Sequence, residues 1–85
     1  MKNLMDYRQE IDELDNEIIE LLNQRFTKTL EIKKYKQEHS LAIEDLKREE
    51  EIKQKIINTK SSEIVKEKLL GVYDRVIKGS KELQQ

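Results

Sequence analysis

Apolar residues recur every seven positions at the start of the chain. Leu4, Ile11 and Ile18 form one series, which Arg25 and Ile32 continue. Leu14, Leu21 and Tyr35 form a second, with Lys28 between them, and Leu22, Phe26 and Leu30 widen the stripe. Neither Pro nor Gly interrupts this stretch, so the periodicity predicts one amphipathic helix from about Leu4 to about Glu38. At a rise of ~1.5 Å per residue that helix would be about 50 Å long. The pattern stops in HSLAIED, which reads as a connection, with Ser40 or Asp45 available to cap the next helix. A second helix is predicted from about Asp45 to Asn58, its stripe being Leu46, Ile52, Ile56 and Ile57, with Glu49 set between Leu46 and Ile52. TKSSE is the next break; Ser61 or Ser62 can cap a helix, and Glu63 complements its N-terminal dipole. The third helix carries Val65, Leu69, Val72, Tyr73, Val76 and Ile77, and Ser80, Leu83 and Gln84 continue that face if the helix passes through Gly79.

These lengths carry a topological argument. A helix of about 50 Å cannot be covered by two shorter ones of roughly 20–30 Å each. Part of its apolar stripe would face water, and the usual remedy is association, most often as a symmetric dimer. The expected fold class is therefore all-α, with three helices per chain, one long and two shorter, in an intertwined helical homodimer centred on the long helices. Residues 1–85 read as a single domain without internal repeats.

Composition narrows the picture. Of 85 residues, 41% are charged and 35% apolar, with no Pro and two Gly, which favours helices over sheet but lies close to the composition of disordered chains. The periodicity decides between the two. A formal net charge of −1 gives no basic footprint, so no nucleic-acid partner is expected. Without cysteine there is no disulfide framework, thiolate ligand or thiol nucleophile. No segment has the apolar length of a signal peptide or a bilayer span, so the expectation is a cytoplasmic protein with no membrane partner.

Charges then stand where apolar residues belong. Arg25 occupies a stripe position of the long helix, and a lone cation leaving water is costly without a partner. Lys36 lies eleven residues on, close to three full turns and roughly 16 Å along the same face. The two side chains can converge on one small anion. Arg8 lies seventeen residues before Arg25, on the order of 25 Å away, and cannot reach that ligand from the same helix. In an antiparallel dimer the partner's Arg8 could, giving a pocket made by two chains. Asp45, Arg48 and Glu49 share adjoining parts of one helix face, and Ser80 and Gln84 stand at i and i+4 on the core side of the last helix.

Each residue also has a plainer reading. Arg8 alone is a solvated helix residue, Arg25 a structural ion-pair partner, Lys36 a snorkelling helix-end lysine. Asp45 serves equally well as an N-cap, Arg48 and Glu49 belong to the charge-rich run KREEE, and Ser80 and Gln84 could be a frayed tail after Gly79. His39 reads as a solvent residue and Tyr7, Tyr35 and Tyr73 as packing residues. No catalytic triad, metal-ligand spacing or phosphate loop is present. The residues alone describe a pocket for a small hydroxylated anion and leave its chemistry open.

Arg8, Arg25 in IIELLNQR, Lys36, Asp45-x-x-Arg48-Glu49 and Ser80-x-x-x-Gln84, taken in order, resemble the all-helical (type II, AroQ-class) chorismate mutase family. The resemblance covers nearly the whole chain, and YRQEIDELDNEIIELLNQR is especially similar to that family's first helix. The site positions show no departure from its pattern; the connection after His39 lacks a proline often found there. The resemblance implies an intertwined dimer of three-helix chains that converts chorismate to prephenate in phenylalanine and tyrosine biosynthesis, without a cofactor. It also implies that Arg8 of the partner and Arg25 hold the substrate carboxylates. Lys36 would meet a carboxylate and the ether oxygen, and Gln84 the ether oxygen from the other side. Glu49 and Asp45 would address the ring hydroxyl, Arg48 would orient carboxylates, and Ser80 would assist at a carboxylate.

Two rivals remain. An isochorismate–pyruvate lyase on the same fold resembles the mutases in its first-helix cations but lacks the acids matching Asp45 and Glu49. A noncatalytic helical dimerisation module would tolerate loss of Arg25.

Overall fold

The computed structural model describes residues 1–85 as three α-helices and no strand. The first, α1, spans Leu4–Glu38. Asn3 caps it: its Oδ1 accepts from the Asp6 amide at 3.0 Å, and Asp6 Oδ2 accepts from the Asn3 amide at 3.0 Å, a reciprocal box that satisfies exposed donors. At the other end Ser40 takes a left-handed conformation, φ 55°, and the Leu41 amide closes on the Lys36 carbonyl at 2.9 Å. Ser40 therefore ends α1 and does not cap α2.

That cap is Asp45, whose side chain accepts from the Arg48 amide at 3.0 Å; α2 spans Leu46–Ile57. Ser62 caps α3, which spans Glu63–Gln84 and passes through Gly79 without a break. The absence of a side chain at Gly79 has a packing use. A Cβ there would lie 3.3 Å from Cε1 of Phe26, so glycine lets α3 approach α1 closely at this level.

Packing runs through α3, which lies against both α1 and α2, while α1 and α2 do not pack directly on each other. The core is small: Ile56, Val76 and Ile77 are its buried apolar residues. On α1 the solvent-shielded positions are Leu22, Arg25, Phe26, Thr29, Lys33 and Lys36, a 3–4 spaced face in the second half of the helix. Thr29, not Leu30, is the residue that goes inside; Leu30 is half exposed and Thr29 is 4% exposed. Thr29 can be buried because its hydroxyl donates to the Arg25 carbonyl at 3.0 Å, inside its own helix.

The heptad series itself lies elsewhere. Leu4, Ile11, Leu14, Ile18 and Leu21 are each more than half exposed. The chain measures 57 × 25 × 16 Å with a radius of gyration of 16.2 Å. A compact domain of this length would have a radius near ~12 Å. The excess is the first half of α1, which extends beyond the other helices. Leu46, Val65 and Val72 are also exposed, so the α2 and α3 stripes are buried only where they meet each other and α1.

Candidate active site

The gap between α1 and α2, floored by α3, forms a cavity of about 420 Å³. That is the size range of small-molecule sites. From α1 it receives Arg25, Thr29 and Lys36; from the start of α2, Asp45, Arg48 and Glu49; from α3, Ser80, Lys81 and Gln84. Seven of the eight polar residues singled out by sequence thus line one cavity. Arg8 does not: it is exposed on the projecting half of α1.

Arg25 is half-buried, and its Nη1 donates to Ser80 Oγ at 2.7 Å. Ser80, itself buried, passes its own hydrogen to the Val76 carbonyl at 3.0 Å, one turn back on α3. The serine therefore acts as an acceptor for Arg25 and holds the guanidinium against α3. Lys36 Nζ donates to the Ile43 carbonyl at 2.8 Å, tying the connection to the cavity wall. Neither Arg25 nor Lys36 has a carboxylate within ion-pairing distance, although the chain holds seven ion pairs elsewhere. Both satisfy donors on neutral oxygens and keep their positive charge uncompensated by any side chain. An ammonium has three hydrogens and a guanidinium five, so each retains donors for a ligand.

Opposite these cations stands Glu49, whose side chain is 17% exposed and whose Oε1 is held by Lys81 Nζ at 2.6 Å. Lys81 also reaches Glu44 Oε1 at 3.0 Å. Its pKa is raised, first by the hydrogen bond to Glu49 and then by that to Glu44, with desolvation opposing in part. Arg48 is more open, and its Nη1 pairs with Glu51 at 3.3 Å on the outer face. Asp45 spends its carboxylate on the α2 cap while remaining in the cavity wall. Gln84 Nε2 donates to the Ser80 carbonyl at 3.1 Å, and its Oε1 is buried without a partner. An unpaired buried acceptor costs about 1–3 kcal/mol.

Lys81 and Thr29 do not stand out in the sequence, although each has a signal there. Ile77, Ser80, Lys81 and Gln84 fall at i, i+3, i+4 and i+7, one helix face, and Thr29 lies four residues from Arg25 and seven from Lys36. The arrangement can hold a small anion with more than one negative charge between Arg25 and Lys36, and accept a hydrogen bond from its hydroxyl at Glu49.

No curated protein and no solved structure matches the chain. A family model, chorismate mutase type II, matches residues 7–85 and so takes in Arg8 together with every polar residue of the cavity. On that match, and with an all-helical fold of three helices to carry it, the chain belongs to the chorismate mutase type II family.

Proposed function

We propose that the protein is a chorismate mutase, converting chorismate to prephenate by an intramolecular Claisen rearrangement in the biosynthesis of phenylalanine and tyrosine, and working as a cytoplasmic homodimer. The observation that carries this reading is the pairing of two uncompensated cations, Arg25 and Lys36, with Glu49 across a single cavity. Chorismate is a dianion with a ring hydroxyl and matches that donor set.

The reaction breaks the ether carbon–oxygen bond and forms a carbon–carbon bond within one molecule. Nothing leaves and no proton need move, so catalysis consists of shaping the substrate and stabilising developing charge. Arg25 binds a carboxylate through its planar fork, which suits bidentate recognition. Arg48 and Ser80 assist in orienting the carboxylates. Glu49 and Asp45 address the ring hydroxyl and set the ring in a compact, chair-like geometry. As the ether bond breaks, negative charge gathers on its oxygen. Lys36 donates to that oxygen with a hydrogen not used on Ile43, and Gln84 does so with the second hydrogen of its amide. Held in place before the reaction, these donors need no reorganisation as charge appears.

Arg8 completes the site from the other chain. The exposed heptad face of α1 supports an antiparallel partner helix covering Leu4, Ile11, Leu14, Ile18 and Leu21. Such a partner would carry its own Arg8 toward the Arg25 end of the cavity, which the same helix cannot do at a separation on the order of 25 Å.

The direct test is to incubate the protein with chorismate and follow its loss and the formation of prephenate, with isochorismate assayed in parallel for pyruvate release. Prephenate formation is expected. A folded dimer that turns over neither substrate would exclude the reading, and pyruvate from isochorismate alone would assign the lyase activity in its place.

A further inference from the structure

Lys81 is the immediate neighbour of Ser80 on α3, yet it has no part in holding the carboxylates, the ether oxygen or the ring hydroxyl. Its ammonium is shared between carboxylates from two other parts of the chain, Glu49 Oε1 on α2 at 2.6 Å and Glu44 Oε1 in the connection at 3.0 Å. No other basic side chain pairs with Glu49. Glu44 in turn lies between Ile43, whose carbonyl holds Lys36, and Asp45, which caps α2. Lys36 and Lys81 thus grip consecutive residues of one connection from opposite helices. Glutamate has three rotatable bonds, and a mobile carboxylate would spread over several rotamers, many of them in solvent. It would also be a bare negative charge in a cavity that takes a dianion.

We propose that Lys81 is a positioning residue, which fixes Glu49 Oε1 and thereby aims the remaining oxygen of that carboxylate at the ring hydroxyl of the substrate. The inference rests on the reading of the cavity as a chorismate site. It has two electrostatic consequences. The lysine offsets the charge of Glu49, so that the net field of the cavity stays favourable to a dianion. The Lys81 pKa is raised from the ordinary lysine value of 10.5, so the ammonium, and with it the compensation, persists through neutral pH. Selection of a hydroxyl-bearing substrate then depends on a residue that never touches it.

The test is a double-mutant cycle on kcat/KM with chorismate. Lys81→Met is expected to lower kcat/KM about tenfold, the order of a lost hydrogen bond to a charged group. Lys81→Arg should recover most of that loss, because it restores a cation to the same carboxylate. In a Glu49→Ala background, Lys81→Met should change kcat/KM by less than about twofold, within the spread expected when the second change removes nothing further. Losses that multiply independently in the two backgrounds would overturn the proposal, as would a Lys81→Met enzyme with full activity. Lys81→Gln, with circular dichroism of each variant, guards against misfolding. Unfolding of both neutral variants would show a structural role and also overturn it. Wild-type protein with no turnover would remove the chorismate reading and this inference with it. Turnover with multiplying losses would remove only the role of Lys81.

Discussion

Arg25 and Ser80 are 55 positions apart in the chain, and a 2.7 Å hydrogen bond joins them across the α1–α3 interface. The acceptor is neutral, so the bond orients the guanidinium without cancelling its charge. A structural arginine in a helical core would be expected on a carboxylate. Arg25→Ala separates the two cases. Ser80 keeps its bond to the Val76 carbonyl and loses only an acceptor role, so stability should change by no more than about 1 kcal/mol. Activity should fall far more, by about 3 kcal/mol of transition-state binding, on the order of a hundredfold in kcat/KM. Urea unfolding and steady-state kinetics on the same variant check both halves.

In the proposed mechanism Gln84 supplies its donor as an amide, which does not titrate. Wild-type activity should therefore hold from near neutral into mildly alkaline pH. Gln84→Glu replaces the amide with a group that donates only when protonated, and an unperturbed glutamic acid has a pKa near ~4.3. The cations Arg25 and Lys36, which line the same cavity, favour the charged form and work against protonation. The variant should be most active in acid and lose activity as pH rises, while the wild type stays level. A pH–rate profile for the two proteins decides it, and a wild-type collapse between about pH 6 and 8 would remove this role from Gln84.

The helices were legible because their ends carry local chemistry. Asp45 and Ser62 are caps whose side chains bond the amide three residues on, and the runs between them follow the 3.6 period. What periodicity could not resolve is which apolar face belongs inside one chain. On α1 the heptad residues Leu4, Ile11 and Ile18 are exposed, whereas the face against α3 is built from Leu22, Arg25, Phe26 and Thr29. The heptad stripe is apolar, the side against α3 alternates Leu22 and Phe26 with Arg25 and Thr29, and the two merge near Arg25. Thr29 was hidden because its polarity is cancelled within the helix, a bond that residue type does not announce. Lys81 was hidden for the opposite reason. In a chain that is 41% charged, one more lysine is unremarked until the fold brings Glu44 and Glu49 to it.

The pH dependence of stability should carry the mark of Lys81. Its pKa is raised in the folded protein, chiefly by the hydrogen bond to Glu49, so the folded state holds the proton more tightly than the unfolded chain. The contribution is complete below the ordinary lysine value of 10.5 and fades as pH rises through the folded value above it. The difference in unfolding free energy between wild type and Lys81→Met should accordingly be level from pH 7 to about 10 and shrink at higher pH. Added salt should reduce it at every pH, because Lys81 is partly open to solvent. A difference that grew above pH 10.5 would contradict the sign of the shift.

A site shared between two chains can be tested by mixing. If each cavity takes Arg25 from one chain and Arg8 from the other, then Arg8→Ala and Arg25→Ala dimers are each deficient at both sites. A mixed dimer is different. The Arg8→Ala chain still carries Arg25, and the Arg25→Ala chain still carries Arg8, so one of its two sites has both arginines and the other has neither. Random pairing makes half the dimers mixed, and half the sites in those are intact, giving about a quarter of the wild-type rate. Intertwined helices would exchange slowly, so the chains should be unfolded together and refolded before assay. Recovery to about that level, from two preparations that are each strongly impaired alone, is the expected result. If both arginines served a site within one chain, no mixture could restore either, and activity would stay at the level of the separate variants. Ile18→Glu adds an independent check, because it places a charge on the face assigned to the partner helix. It should shift sedimentation toward the monomer and remove turnover together, although Ile18 touches nothing in the cavity.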